Sequence, residues 1–144
     1  MKGKKKVIGL VEIVKIRGKK GVVKKRALFD TGATRTSVDM RVAAKAGIGP
    51  IISSVKVRNA GALAGYSRRP VAKATIVVKG KTIHTGVNIE DREGMSYSVL
   101  IGRDIIHNNF LIDVSRTHTG FRVGDVKDKD DENRSPKVLK VKKK

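Results

Sequence analysis

The sequence predicts an all-β domain, mainly strands with one or two short helices, and three observations predict it. Apolar residues recur mostly at a period of two, the spacing of a half-buried strand. Aromatic residues make up only 3% of the chain and Trp is absent, so the core has to rest on Val, Ile, Leu and Ala. The β-branched members of that set suit a pleated sheet. Turn signals built on Gly and charged residues divide the apolar runs into short pieces. With 144 residues and 39% hydrophobic content there is material for one core, and not for two catalytic domains.

Taken in order, Val7 to Ile16 alternates loosely, Arg17-Gly18-Lys19-Lys20-Gly21 makes a turn, and Val22 to Phe29 returns, so the first third is expected to be a β-hairpin. Asp39 to Gly47, with Ala43, Ala44 and Ala46, is the first helix, ended by Gly47, Gly49 and Pro50. Ser54 to Val57 and Pro70 to Val78 alternate on either side of Asn59-Ala60-Gly61-Ala62-Leu63-Ala64-Gly65, a small-residue stretch that fits the deformable tip of a second hairpin. Lys79-Gly80-Lys81 turns into a strand from Thr82 to Ile89, and Glu90 to Met95 is a charged turn. Tyr97 to Ile101 is a buried strand, Asp104 to Asn108 a short helix, and Phe110 to Val114 and Phe121 to Val123 are terminal strands. Many short strands with two small helices indicate a barrel-like arrangement.

Both ends are basic. Residues 1–6 form a basic N-terminal segment, residues 7–123 the folded domain, and from Gly124 to Lys144 the chain is almost continuously charged, a tail expected to stay outside the core. The formal net charge of +20 favours weak, salt-dependent association with polyanions such as nucleic acids. The few aromatics are too scattered to interleave with the basic residues as a base-stacking module requires. The absence of Cys removes disulfides, thiolate nucleophiles and cysteine-ligated zinc together. No apolar run approaches a membrane span and no signal-peptide cleavage pattern follows the first apolar stretch, so a cytoplasmic protein without a membrane partner is expected.

The chemistry lies in Ala27-Leu28-Phe29-Asp30-Thr31-Gly32-Ala33. An acid directly after an apolar strand, followed by a tight segment, presents a carboxylate at the end of a buried strand. Gly32 permits close backbone approach, and the Thr31 hydroxyl can brace the loop. Taken alone, Asp30 also fits a turn aspartate. Peptide hydrolysis by such a group needs two carboxylates sharing one proton, one activating water while the other donates to the scissile carbonyl. Asp-Thr-Gly occurs once, so a second chain must bring the second carboxylate.

About seventy residues on stands Ser98-Val99-Leu100-Ile101-Gly102-Arg103-Asp104-Ile105-Ile106, an apolar strand ending in Gly and passing to a short helix. The two motifs in this order resemble the retropepsin-like aspartic proteases, which include retroviral proteases and the protease-like domain of DNA-damage-inducible proteins. From Arg69 through Ile89-Glu90-Asp91-Arg92 to Phe110-Leu111-Ile112-Asp113 the chain also resembles prokaryotic relatives often labelled ATP-dependent zinc proteases. The resemblance spans roughly residues 7 to 114. It implies a closed β-barrel acid-protease fold and a homodimer that cleaves peptide or protein substrates without a cofactor. By position it makes Asp30 the catalytic aspartate, Thr31 the brace between paired active-site loops, and Gly32 and Ala33 part of the substrate cleft. Residues Asn59 to Gly65 match the flap that closes over substrate, and Gly102, Arg103 and Asp104 a structural second motif.

One departure matters. Where many relatives carry an acid after Asp-Thr-Gly-Ala that pairs with arginine, this chain has Thr34 and then Arg35, leaving Asp39 or Asp104 as substitutes. Nothing in the residues supports the zinc or ATP label. His84, His107 and His118 are scattered and no His-Glu-x-x-His occurs, so no metal site is assigned. Gly80-Lys81-Thr82 imitates the end of a phosphate-binding loop, but Thr75 stands where its first glycine belongs, and a hairpin turn fits better. The alternative to a protease is a non-catalytic protein of the same fold that binds nucleic acid or a ribosomal partner through its basic surface.

Overall fold

A computed structural model of the chain describes residues 3–58 and 65–117. The first hairpin forms as its pattern requires. Strands β1 (Lys6–Gly18) and β2 (Gly21–Phe29) pair antiparallel from Val11↔Leu28 to Gly18↔Gly21, with Lys19 and Lys20 at the turn. Val14 and Ile16 of β1 face inward and alternate with the exposed Lys15 and Arg17.

After β2 the chain passes through a loop to a three-residue strand β3 (Ser37–Asp39), too short to leave a periodic signal in the sequence. Helix α1 (Met40–Ala46) follows at once. The Asp39 side chain caps it by accepting from the Arg41 N–H. Gly47 ends it in the left-handed conformation at φ 72°, where its N–H reaches the carbonyls of Ala43 and Ala44.

Strands β4 (Ile51–Arg58) and β5 (Tyr66–Val78) make a long antiparallel ribbon, each reaching three or four residues further toward its N-terminus than the alternation alone suggests. Strand β5 then pairs with β6 (Lys81–Glu90) across the Lys79-Gly80 turn, so the segment resembling a phosphate loop is a hairpin. Strand β7 (Val99–Ile101), helix α2 (Arg103–Ile106) and strand β8 (Phe110–Thr117) complete the described chain. The expected strand Phe121 to Val123, the charged tail, and Asn59 to Ala64 of the expected flap lie outside the described residues.

The strands run in the order β4-β5-β6-β3-β7-β2-β1-β8, and an added β5–β1 pairing brings the ladder back on itself, closing a ring from β5 round to β1. Inside it Ile8, Val14, Ile16, Ala27, Phe29, Val38, Ile76, Val87, Val99, Ile101 and Ile105 are fully or almost fully buried. Among the described residues the core is aliphatic apart from one Phe–Phe contact, in keeping with the composition. Three pairings are parallel and long-range: β1 with β8, β2 with β7, and β3 with β6. The second of these creates the site. Among the described residues no helix is long and apolar enough to cross a membrane.

Candidate active site

Strand β2 delivers Asp30. Its last residue, Phe29, is almost fully buried and meets Phe110 edge-on, with ring centroids 6.1 Å apart and planes at 78°. That contact fixes the end of the strand. Phe29 pairs with Ile101 of β7, and the Asp30 N–H continues the ladder one step by donating to the Ile101 carbonyl at 2.8 Å. The chain then turns back, with the Ala33 N–H on the Asp30 carbonyl at 3.1 Å and the Gly32 N–H on Asp30 Oδ1 at 2.8 Å. Asp30 is half-buried, while Thr31 and Gly32 are exposed. The result is a carboxylate held in a defined orientation at the mouth of the fold, open to a ligand.

The second motif is the scaffold of this loop. Gly102 lies directly beneath it: a Cβ there would stand 2.6 Å from the Arg35 carbonyl carbon and 2.9 Å from the Ala33 oxygen. Those are backbone atoms with nowhere to go, so the close approach needs glycine. Arg103 binds the loop three ways. Its N–H donates to the Ala33 carbonyl at 2.8 Å, Nη1 to the Thr31 carbonyl at 2.8 Å, and Nη2 to Thr34 Oγ1 at 3.0 Å.

Asp104 does not replace the acid missing at position 34. Its carboxylate accepts from the Thr36 N–H at 3.0 Å and from the Thr36 hydroxyl at 2.7 Å, and the same hydroxyl accepts from the Gly102 N–H at 3.0 Å. Asp39 does not replace it either, being occupied by capping α1 and pairing with Arg41 at 2.9 Å. The hydroxyl at Thr34 and the carbonyl at Thr31 meet the arginine instead. Neutral acceptors suffice because Arg103 is exposed and keeps much of its hydration.

Sequence reasoning missed Thr36 and Asn88. Thr36, fully buried, links the loop to both Gly102 and Asp104. Asn88 of β6 accepts from Arg35 Nε at 2.8 Å, and its N–H donates to the Thr36 carbonyl at 2.9 Å, tying the far side of the loop to the ring. A buried Thr six residues after an acid carries no sequence signal; only its partners reveal it. Of the expected flap, Gly65 is described, and next to it, at the last described pair of the ribbon, Tyr66 has Lys56 and Arg58 over its ring, with charged groups 5.3 and 5.4 Å from the ring centroid.

A family model described as the retropepsin-like aspartic endopeptidase RimB matches residues 35–122, more than half of the chain, and includes the Gly102-Arg103-Asp104 motif. The chain belongs to this RimB-like family. The match begins just beyond Asp30-Thr31-Gly32, so the aspartate loop is supplied by the geometry rather than by the family model. Solved structures agree on the fold. The EIAV protease, solved with the inhibitor HBY-793, superposes at a TM-score of 0.55 with 22% identity, covering 72% of this chain and 91% of that one. A Legionella pneumophila protein of unknown function superposes at 0.53 with 21% identity, covering 79% of this chain and 97% of that one. No curated protein sequence matches the chain.

Proposed function

We propose that this RimB-like chain is an aspartic endopeptidase that works as a homodimer, with Asp30 of each subunit supplying one carboxylate of the catalytic pair. The observation that carries this reading is the placement of Asp30: a fixed, half-buried carboxylate on an exposed loop, clamped by Gly102, Arg103 and Thr36. Asp104, the acid of the second motif, has both oxygens engaged by Thr36. A single Asp-Thr-Gly per chain leaves the second carboxylate to a second subunit.

Two such loops related by a two-fold axis bring equivalent carboxylates together. Like charges at about 3 Å do not both ionise, so the pair holds one proton. The ionised Asp30 takes a proton from a water molecule as that water attacks the peptide carbonyl carbon, and the protonated Asp30 of the partner subunit gives its proton to the carbonyl oxygen. Collapse of the tetrahedral intermediate then breaks the C–N bond, with a proton passed to the departing amine. No covalent enzyme intermediate and no cofactor enters this sequence. The ribbon of β4 and β5 with residues 59 to 65 is the flap that closes over substrate and excludes water.

Cleavage of an unfolded protein substrate between about pH 4 and 7 tests the reading. Asp30→Asn, an isosteric change, is expected to lower the rate by at least about 100-fold while leaving the circular dichroism spectrum unchanged. Equal cleavage by both proteins would contradict it.

A further inference from the structure

At the end of the molecule away from Asp30, basic side chains collect on the outward face of the sheet. Registers place Lys15 of β1 directly between Lys24 of β2 and Val77 of β5. Two residues on, Arg17 stands between Val22 and Thr75, and Thr75 pairs in turn with His84 of β6. Lys73 shares this face, two residues before Thr75. Arg17, Lys73 and His84, with Lys19 from the hairpin turn and Ile48 and Pro50, line a groove of about 620 Å³. Val22 and Asp30 are eight residues apart along β2, about 26 Å at a strand's rise, so this face is separate from the aspartate loop.

The arrangement is unfavourable by itself. Like charges directly opposite on neighbouring strands destabilise a sheet, and Lys15 faces Lys24. Among the described residues, no carboxylate pairs with Lys15, Arg17, Lys19, Lys24 or Lys73. All five are exposed.

We propose that this face binds the phosphodiester backbone of a nucleic acid without reading its bases. Strand β1 is paired on both sides here, so its backbone groups are satisfied and a peptide cannot add to it as a further strand. What the face offers is long cationic side chains repeated about 7 Å apart along a strand and about 5 Å apart across strands. A nucleic acid presents a charge at every unit whatever its sequence, which suits such a lattice. Thr75 and His84 add polar groups of the kind that contact phosphate and sugar. None of the described aromatic residues belongs to this face, which therefore lacks the stacking platforms that would favour particular bases.

Fluorescence anisotropy of a labelled thymidine homopolymer of about 20 nucleotides, titrated with the full chain at several salt concentrations, tests the proposal. Five engaged cations give a slope of log K on log salt of about −3.5 for a single strand. The triple variant Lys15→Gln, Lys24→Gln, Lys73→Gln is expected to make that slope shallower by about 2 and to weaken binding at least tenfold. It leaves peptide cleavage unchanged. The control triple Lys56→Gln, Arg58→Gln, Arg68→Gln removes the same charge from the β4–β5 ribbon and is expected to bind nearly as wild type does.

Equal losses in the two triples would overturn the proposal, because binding would then follow net charge rather than this face. Tighter binding of poly-glutamate of equal charge would overturn it in favour of an acidic protein partner. A second measurement needs no ligand. Lys24→Gln alone is expected to raise the melting midpoint by roughly 2 °C by relieving Lys15, and a fall would contradict the claim that the pair is unfavourable while the face is empty.

Discussion

Thr36 and Gly102 carry more of the aspartate loop's architecture than their size suggests. The Thr36 hydroxyl is fully buried, donates to Asp104 and accepts from the Gly102 N–H. Thr36→Val keeps the shape and removes both bonds, leaving the buried Gly102 N–H without its acceptor, so it is expected to cost about 1–3 kcal/mol, read as a lowered denaturant midpoint at an unchanged slope. Gly102→Ala puts a methyl group against the Ala33 and Arg35 backbone. The loop has to move to make room, and a loss of about 1–3 kcal/mol together with loss of peptidase activity is expected. The catalytic candidate Asp30 was legible from its strand-end setting, as were Gly102 and Arg103 from the apolar run before them. The way Asp104 is used was not, because a hydroxyl six residues past Asp30 becomes its partner only after β2 and β7 have paired.

Elements formed by neighbours in sequence were read accurately, and β7 and β8 were expected as strands, but β3 and the pairings with distant partners were not. The β1–β2 and β5–β6 hairpins and α1 follow from alternation, turn residues and caps, all local. Strand β3 exists because β6 and β7 flank it, and the β1–β8 and β2–β7 pairings are parallel and join residues about seventy or more apart. No local pattern encodes such contacts. The turn between β6 and β7 is tied to α1 by Arg41, which reaches Asp91 at 2.6 Å and Asp39 at 2.9 Å. The Glu93 backbone N–H, followed by the Arg41 guanidinium, holds the Asp91 carboxyl below its ordinary value of 3.8. A carboxyl depressed in the folded state stabilises the protein above the unfolded value and loses that contribution as pH falls through the folded one. Thermal midpoints measured from pH 5 down to pH 3 should therefore fall less for Asp91→Asn than for wild type, and parallel curves would show that the contacts around Asp91 contribute nothing.

For the whole molecule, a closed ring of strands holds the Asp30 loop at one end, and under the proposed function that end is half of a catalytic site. The net charge of +20 on each chain opposes association, so dimer formation is expected to tighten as salt rises. On the two proposals, the basic face at the far end and the aspartate loop would give the molecule a polyanion-facing end and a cutting end. The central claim is that the cutting end is complete only in a pair of chains. Mixing wild type with Asp30→Asn at constant total concentration, under conditions where subunits exchange, tests it most directly. If both aspartates of a dimer are needed, an equal mixture retains about one quarter of the wild-type peptidase rate, and the rate follows the square of the wild-type fraction. A rate that falls in proportion, leaving half in the equal mixture, would show that one chain carries the whole activity and would contradict the account.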